Sequence, residues 1–545
     1  MLRGNGMIDL SPKNLLAIES RDLSGVSAEL AKRLEAKIAQ FAAPRDRLLA
    51  FEFIGKLGPL GSVLVYGAGA HSAELAPLLE DSPGTTVVGF IDRRWEAIGE
   101  FLGYEVIAPN QVPTRIFDHV LVANEVSEIE MAKLLLDLGV QPEKIVRVYT
   151  NPGYVRLALD TWNRTLAARM PERAKFVILQ GAGGGLFYGS GLVDHLPPAE
   201  TVVISYPCSY ARTLFYREFE TNHSLGLVID LLRRMQPSVI YVRTQFTTHF
   251  LAHLARVTVP GAKIIHEFHD IALVHPCDCL VDQVCGSEQE LETLRLAELD
   301  SLVNSDAVLS KYGGPEIEHL IDVTGANHAL VYPYMLPILQ KPKTAASASD
   351  RIRVVYAGQL YPPGQPRLLK TEWNYLPLFI HLVRTGRFTV DAFNSVHTLT
   401  LDNEKYGVYL ETAREEPAFT YHRALGYRRA VERMSEFDWG FLYNDAPRVD
   451  NLSRGVAIAA RLTGYLNAGL PVVIDDGHPL MAGLLREFSA GIVHPRYDID
   501  GLVPALLAAH ERVDEFREGA RRLHAYMIES NARALEKIWA SVEAK

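Results

Sequence analysis

The sequence predicts an α/β chain of three Rossmann-like units in series, and three observations carry that prediction. Short apolar runs rich in β-branched residues recur along the chain, each followed by helix-like text, and this alternation makes a parallel, doubly wound sheet. The 545 residues exceed what one core can organise; at roughly 100–200 residues per domain, three domains are expected. Glycine-rich or polar breaks fall between the groups of runs, where units should join.

Residues 1–60 read as a helical lead-in. Leu30, Leu34, Ile38 and Phe41 recur at helical spacing, with Ser27 placed to cap. The lead-in is expected to pack on a neighbouring domain, a dimer helix being the alternative. Residues 61–150 form the first α/β unit, with runs at 63–66, 86–91, 119–123 and 144–149. A break at Asn151-Pro152-Gly153 opens a linking helix within 151–172. The second unit, 173–339, has runs at 176–179, 201–204, 238–242, 262–265 and 307–309. The polar stretch 340–350, QKPKTAASASD, reads as a linker. The third unit, 351–500, has runs at 353–358, 438–442 and 471–474, and 501–545 is helical.

Composition narrows the function classes. With 48% hydrophobic and 22% charged residues the chain has the balance of an ordinary folded protein. The net charge of −10, from 55 basic and 65 acidic side chains, argues against nucleic acid as a partner, since phosphate backbones need clustered Lys and Arg. The N-terminus has no apolar run suited to a signal peptide. The most apolar window, 455–474, is broken by Arg461 and by Asn467-Ala468-Gly469. A cytoplasmic chain is expected, with at most peripheral membrane contact. Of the four cysteines, Cys208 stands alone, while Cys277, Cys279 and Cys285 crowd one loop beside His275. That spacing matches neither a disulfide framework nor a zinc ribbon or finger, so no metal is expected.

The turn after the first run, Gly67-x-Gly69-x-x-Ser72, sits between strand and helix, with Asp92 closing the second run. The first glycine permits a tight turn. The second lets backbone amides approach a diphosphate at the helix N-terminus, and Asp92 is placed for ribose hydroxyls. A turn kept only for packing is the alternative, and His71 beside it is either a ligand donor or simply solvated. The text VLVYGAGAHSAELAPLL, then VVGFIDRR, then Gly103-Tyr104-Glu105-Val106 resembles the small nucleotide-binding domains attached to bacterial sugar-modifying enzymes. The resemblance implies a bound dinucleotide or nucleotide-sugar.

Several later segments resemble the GT-B glycosyltransferases. In the second unit these are Gln236 to Arg243, Lys263 to Asp270 and Glu298 to Val308. In the third they are Val355-Tyr356-Ala357-Gly358-Gln359-Leu360, Met434 to Gly440, and Arg461-Leu462-Thr463-Gly464-Tyr465-Leu466-Asn467-Ala468-Gly469-Leu470-Pro471-Val472-Val473. The resemblance covers roughly 173–545. It implies a pair of facing Rossmann domains, an acceptor half and a donor half, that transfer a sugar from a nucleotide-sugar without a metal. His269 and Asp270 are the catalytic candidates. The donor-binding candidates are Gly358, Arg461, Tyr465 and Arg367, and Gly183, Gly184 and Gly185 form an interdomain glycine loop.

The pattern is broken where the family carries charge. Gln359 and Gln365 stand where basic residues usually neutralise the leaving diphosphate, and Gly464 stands for the glutamate that grips ribose. Three readings therefore stay open. The leading one is an enzyme moving a sugar to a glycan, lipid-linked or protein acceptor in bacterial surface polysaccharide or glycoconjugate synthesis. The second is a non-catalytic nucleotide-sugar-binding or assembly protein. The third is an NAD(P)-dependent oxidoreductase centred on Gly67 to Asp92, against which stands the lack of a Tyr-x-x-x-Lys pair near that unit.

Overall fold

The computed structural model describes residues 23–122, 124, 125, 127–167, 169, 173–181, 196–206, 216–274, 281, 285, 287–335, 351–358, 360, 375–394, 406–422, 425–443 and 455–543. They form three parallel-dominated sheets flanked by helices, an α/β architecture of three Rossmann-like units.

The first sheet holds β1 (Gly61–Tyr66), β2 (Thr85–Ile91), β3 (Glu100–Phe101), β4 (Tyr104–Ile107), β5 (His119–Val122) and β6 (Ile145–Arg147) in the order β3-β4-β2-β1-β5-β6. All pairs are parallel except the β3–β4 hairpin. Apolar side chains leave both faces, Val63 and Val65 to one cluster and Leu64 and Tyr66 to the other, as a sheet covered on both sides requires.

The second sheet is parallel throughout. It holds β7 (Phe176–Gln180), β8 (Thr201–Ser205), β9 (Arg217–Glu220), β10 (Val239–Thr244), β11 (Lys263–Phe268), β12 (Ala307–Ser310) and β13 (His328–Leu330), ordered β13-β12-β11-β10-β7-β8-β9. The third is β14 (Ile352–Gly358), β15 (Phe388–Asn394), β16 (Phe419–His422), β17 (Trp439–Phe441), β18 (Val472–Asp475) and β19 (Gly491–His494), ordered β16-β15-β14-β17-β18-β19 and also parallel. In both, the chain runs outward on one side and then crosses the first strand to the other. Each sheet thus has a topological switch point, where ligands settle at the carboxyl ends of strands.

The lead-in helix Val26–Gln40 packs on the second unit and not on the first, its neighbour in sequence. Val26, Leu30, Leu34 and Phe41 join the cluster of Val177, Val242 and Leu251. Ser27 is not its cap. The helix starts at Val26 after Gly25, and the Ser27 hydroxyl accepts from Arg256 at 2.9 Å instead. The linking helix spans Pro152–Ala167. Its Tyr154 hydroxyl donates to the Pro44 carbonyl at 2.7 Å, tying lead-in to first unit. The stretch 340–350 lies outside the described residues.

The last helix, Val513–Glu543, joins the second and third units. Ala520, Leu523 and Met527 pack into the third unit. Leu535, Ile538 and Val542 pack under the second sheet with Ile178, Tyr241 and Ile265. Between these stretches Asn531 receives the Tyr332 N–H at 2.8 Å and donates to the Tyr332 carbonyl at 2.9 Å. Both partners are buried. Asn531→Leu leaves two backbone groups unpaired at a cost of about 1–3 kcal/mol each. The Tyr332 amide should then exchange faster with deuterium. Unchanged protection there would show that the pair does not hold the crossing.

Candidate functional site

The candidate site is built where the second and third sheets turn their carboxyl ends toward one another. Asp270 follows β11. Its Oδ1 accepts from the Lys311 ammonium at 2.8 Å and from the Tyr312 hydroxyl at 3.3 Å, and its Oδ2 accepts from the Gln245 amide at 3.0 Å. Lys311 and Tyr312 follow β12, and Gln245 follows β10, so three neighbouring strands converge on one carboxylate. A carboxylate so engaged is held in place. It is thereby a weaker candidate for a base and a stronger one for orienting its neighbours.

His269 precedes it, with its ring 6.4 Å from that of Tyr334 between centroids. Burial, with the Lys311 charge acting in the same direction, pushes its pKa down to about 3. The imidazole is therefore neutral near pH 7, one nitrogen donating and the other accepting.

Beneath the pair runs a chain of buried polar groups. His249 has one ring nitrogen 2.7 Å from the Asp270 carbonyl and the other 2.6 Å from the Thr244 hydroxyl. Thr244 also meets Nε2 of His266, whose Nδ1 meets Ser301. The Asp270 carbonyl only accepts, so His249 Nε2 donates to it, and the same nitrogen lies 3.2 Å from a Glu298 carboxylate oxygen. Burial pushes His266 well below its ordinary pKa. Glu298, fully buried, accepts from the backbone N–H groups of Ala272 and Leu273. The strand end carrying His269 and Asp270 is thus fixed from below.

The third unit docks directly on this edge. The Ile458 N–H donates to the Lys311 carbonyl at 2.9 Å and the Gly313 N–H to the Val456 carbonyl at 2.8 Å, and Tyr312 and Ala457 form an antiparallel bridge. Three residues beyond Ile458, in the first turn of the helix Ala460–Asn467, comes Arg461. Its guanidinium donates to the Tyr356 and Tyr375 hydroxyls at 3.1 and 2.9 Å and lies 5.4 and 5.8 Å from their ring centres. Burial works against its charge, but the tyrosine hydroxyls around it outweigh burial and raise its pKa. Gly358, the last residue of β14, makes room for it: a Cβ there would lie 2.7 Å from Arg461 Cδ.

Tyr465 departs from the expected donor contact. It is fully buried, its hydroxyl donating to the Phe441 carbonyl at 3.0 Å and receiving the Ala357 N–H at 3.0 Å. It bolts β14 to β17 and presents nothing to a ligand. At Gly464 a Cβ would meet only the Met434 methyl and the Tyr427 hydroxyl, both at 3.8 Å, so nothing in the packing requires glycine. Arg367, Gln359, Gln365, Gly183, Gly184 and Gly185 lie outside the described residues, as do Cys208, His275, Cys277 and Cys279. Cys285 is free, its thiol pushed up to about 11, chiefly by burial. Among the described residues no group of three His, Cys, Asp or Glu could hold a metal ion, and no helix is long and apolar enough to cross a membrane.

In the first unit, Gly67 has φ +109°, a conformation that requires glycine. Gly69 caps the helix Ala70–Glu80 with open space where a side chain would stand. Ser72 is buried against the turn. Asp92 does not stand open for ribose. Its Oδ2 accepts the Ala68 N–H at 3.1 Å and its Oδ1 accepts from Arg94 N at 2.8 Å and Nε at 3.2 Å. Burial pushes its pKa up, but these bonds outweigh burial and hold it below the usual range. His71 is not solvated either; it stacks on Phe51 at 5.7 Å and faces the Tyr149 hydroxyl at 3.4 Å.

Sequence reasoning missed Lys311, Tyr312, Gln245 and Tyr375. The first two had a usable signal. They stand directly after an apolar run, the same position that singled out His269 and Asp270.

Residues 61–146 match the family model described as C2185-like, N-terminal. Comparison with curated proteins gives no match. Among solved structures, the chain is similar to Anabaena HepE in complex with UDP and glucose, at 13% identity and TM-score 0.48 over 68% of this chain and 100% of that one. It is also similar to sucrose-phosphate synthase from Thermosynechococcus elongatus, at 12% identity and TM-score 0.46 with the same coverage. A third is an α,α-trehalose-phosphate synthase (UDP-forming) from Burkholderia xenovorans in complex with glucose-6-phosphate, at 11% identity and TM-score 0.46, again over 68% and 100%.

Three histidines, the half-buried His269 and His328 and the buried His524, give the protein a pH signature. Burial pushes His269 down to about 3 and His328 and His524 down to about 4. Unfolded, each takes up a proton near pH 6.5. Between pH 6.5 and 4 the unfolded chain therefore binds more protons, and stability falls as pH falls through that window. The melting temperature should drop from pH 7 to pH 5, less steeply in His524→Gln. A flat profile would contradict the burial of these rings.

Proposed function

We propose that the chain transfers a sugar from a nucleotide-sugar to a glycan, lipid-linked or protein acceptor, in the cleft between its second and third units. This role fits surface polysaccharide or glycoconjugate synthesis. The observation that carries the proposal is the facing of two strand ends. His269 and Asp270, fixed by Lys311, stand on one side, and Gly358 with the guanidinium of Arg461 stands on the other, joined through the Tyr312–Ala457 bridge. The segments that resemble GT-B glycosyltransferases fall on these same strand ends.

Transfer from a nucleotide-sugar breaks the bond between the anomeric carbon and the diphosphate, so negative charge grows on the leaving oxygens. Arg461, at a helix N-terminus and held by neutral phenols, answers that charge. Neutral His269 bonds a sugar or acceptor hydroxyl. Asp270 beside it spends its oxygens on Lys311, Tyr312 and Gln245, so that the carboxylate orients rather than abstracts. No metal is needed for these steps.

A second reading, binding without transfer, is favoured by the uncharged Gln359, Gln365 and Gly464. Release of nucleoside diphosphate from a panel of nucleotide-sugars, together with donor Kd, separates the two. Under the transfer reading Arg461→Ala slows release by roughly one to two orders of magnitude, the worth of one charge-assisted hydrogen bond. Arg461→Lys keeps part of the rate, because charge remains while the fork is lost. His269→Ala lowers turnover more than donor affinity. Tight donor binding with no release in the unmodified protein would establish the second reading. Unchanged rate and Kd in both alanine variants would move the site elsewhere.

A further inference from the structure

Where the first and second units meet, a cleft of about 600 Å³ opens, apart from the strand ends that face the third unit. Its walls are again the carboxyl ends of parallel strands. Tyr66 ends β1, Arg93 lies just past β2, and Tyr206 and Thr247 lie past β8 and β10. Gln40 and Phe41, at the end of the lead-in helix, supply a third wall. Concave sites at such edges and at domain boundaries are where small ligands bind.

Two buried donors in these walls are unmet, although Asp92, Glu130 and Glu290 also line the cleft, Asp92 engaged by Ala68 and Arg94 and Glu290 by Lys37. Tyr66 is 3% exposed, and among the described residues its hydroxyl proton has no acceptor. The side-chain amide nitrogen of Gln40 is likewise buried without an acceptor. The Arg93 guanidinium beside Tyr66 adds only donors and a positive charge. Buried donors left unmet cost about 1–3 kcal/mol each; an oxygen-rich, anionic ligand would meet both, with the exposed Arg93 guanidinium beside them to answer its charge. The apolar part of the lining is aromatic: Phe41, Tyr66, Tyr206 and Phe250, which suits a planar ring.

The backbone of the cleft wall is also strained. Asn222 and His223 take φ of +45° and +62° in succession. They are held there by the bonds from Arg45 N to the Asn222 carbonyl at 2.9 Å and from His223 N to the Tyr206 carbonyl at 2.7 Å. His223 lines the cleft and sets its ring at 78° to that of Tyr206. Strain of this kind costs of order 1–3 kcal/mol per residue and gathers at ligand sites.

We propose that this cleft binds a nucleoside phosphate, its phosphate oxygens accepting from Tyr66, Gln40 and Arg93 and its base lying against the aromatic wall. The glycine turn of the first unit then shapes the cleft rather than forming it alone, and the site is complete only with the second unit in place. It does not depend on the transfer reading.

The test is calorimetric titration of the full chain in an Arg461→Ala background, which weakens the other cleft, with UMP, UDP, AMP and NAD+ as probes. At least one probe should bind in the micromolar range. Adding Tyr66→Phe, Gln40→Leu or Arg93→Ala should weaken it tenfold or more. Without ligand, Tyr66→Phe should melt at the same or a higher temperature, because it removes a donor that folding leaves unmet. The proposal is overturned if no probe binds in that background, or if all three replacements leave binding unchanged. It is equally overturned if Tyr66→Phe lowers the ligand-free melting temperature, which would mean that the hydroxyl is satisfied by the fold.

Discussion

The short pairing of residues 311–313 with 456–458 is the constraint on which the candidate site depends. These few backbone contacts bring the segment that feeds the Arg461 helix onto the end of β12. The same stretch of β12 delivers Lys311 and Tyr312 to Asp270. One join therefore positions both sides of the cleft. The helix Val513–Glu543 supports it from behind, with its first half in the third unit and its second half under the second sheet. A shift between the units would part Arg461 from Asp270 and would also unpair the Lys311 carbonyl.

The second-unit side of the cleft is rigid for a different reason. Thr244, His249, His266, Ser301 and Glu298 are buried, and each contributes hydrogen bonds that no water can replace. Such a network is stable only when complete, since a single missing partner leaves a buried group unsatisfied. The third-unit side uses another device, in which the Arg461 cation sits among phenols and ring faces beside a glycine that lets its stem lie flat on the strand end.

The fold was legible in the sequence wherever strands are apolar on both faces. The runs at 63–66, 176–179, 353–358 and 471–474 announced buried parallel strands, and each is one. Strands without that signal were missed. β9 reads Arg-Glu-Phe-Glu and buries only Phe219, while β13 is three residues long. β15 carries Thr389 and Asp391 within its run, which hides a strand from a search for continuous apolar text. Position alone put His269, Asp270 and Arg461 at element ends, and the structure places them there. They were not legible where the hydrogen bonds decide. Tyr465 and Asp92 hold motif positions, yet spend their polar atoms inside the fold. Gln245 and Tyr375 matter only because of what the fold brings beside them.

The central claim is that the donor diphosphate lies at the Arg461 end of the cleft between the second and third units. A crystal structure of the full chain soaked with UDP-glucose tests it most directly. The account predicts diphosphate oxygens within hydrogen-bond distance of the Arg461 guanidinium, with the sugar turned toward His269. Diphosphate density elsewhere, with the Arg461 cleft empty at saturating ligand, would contradict it.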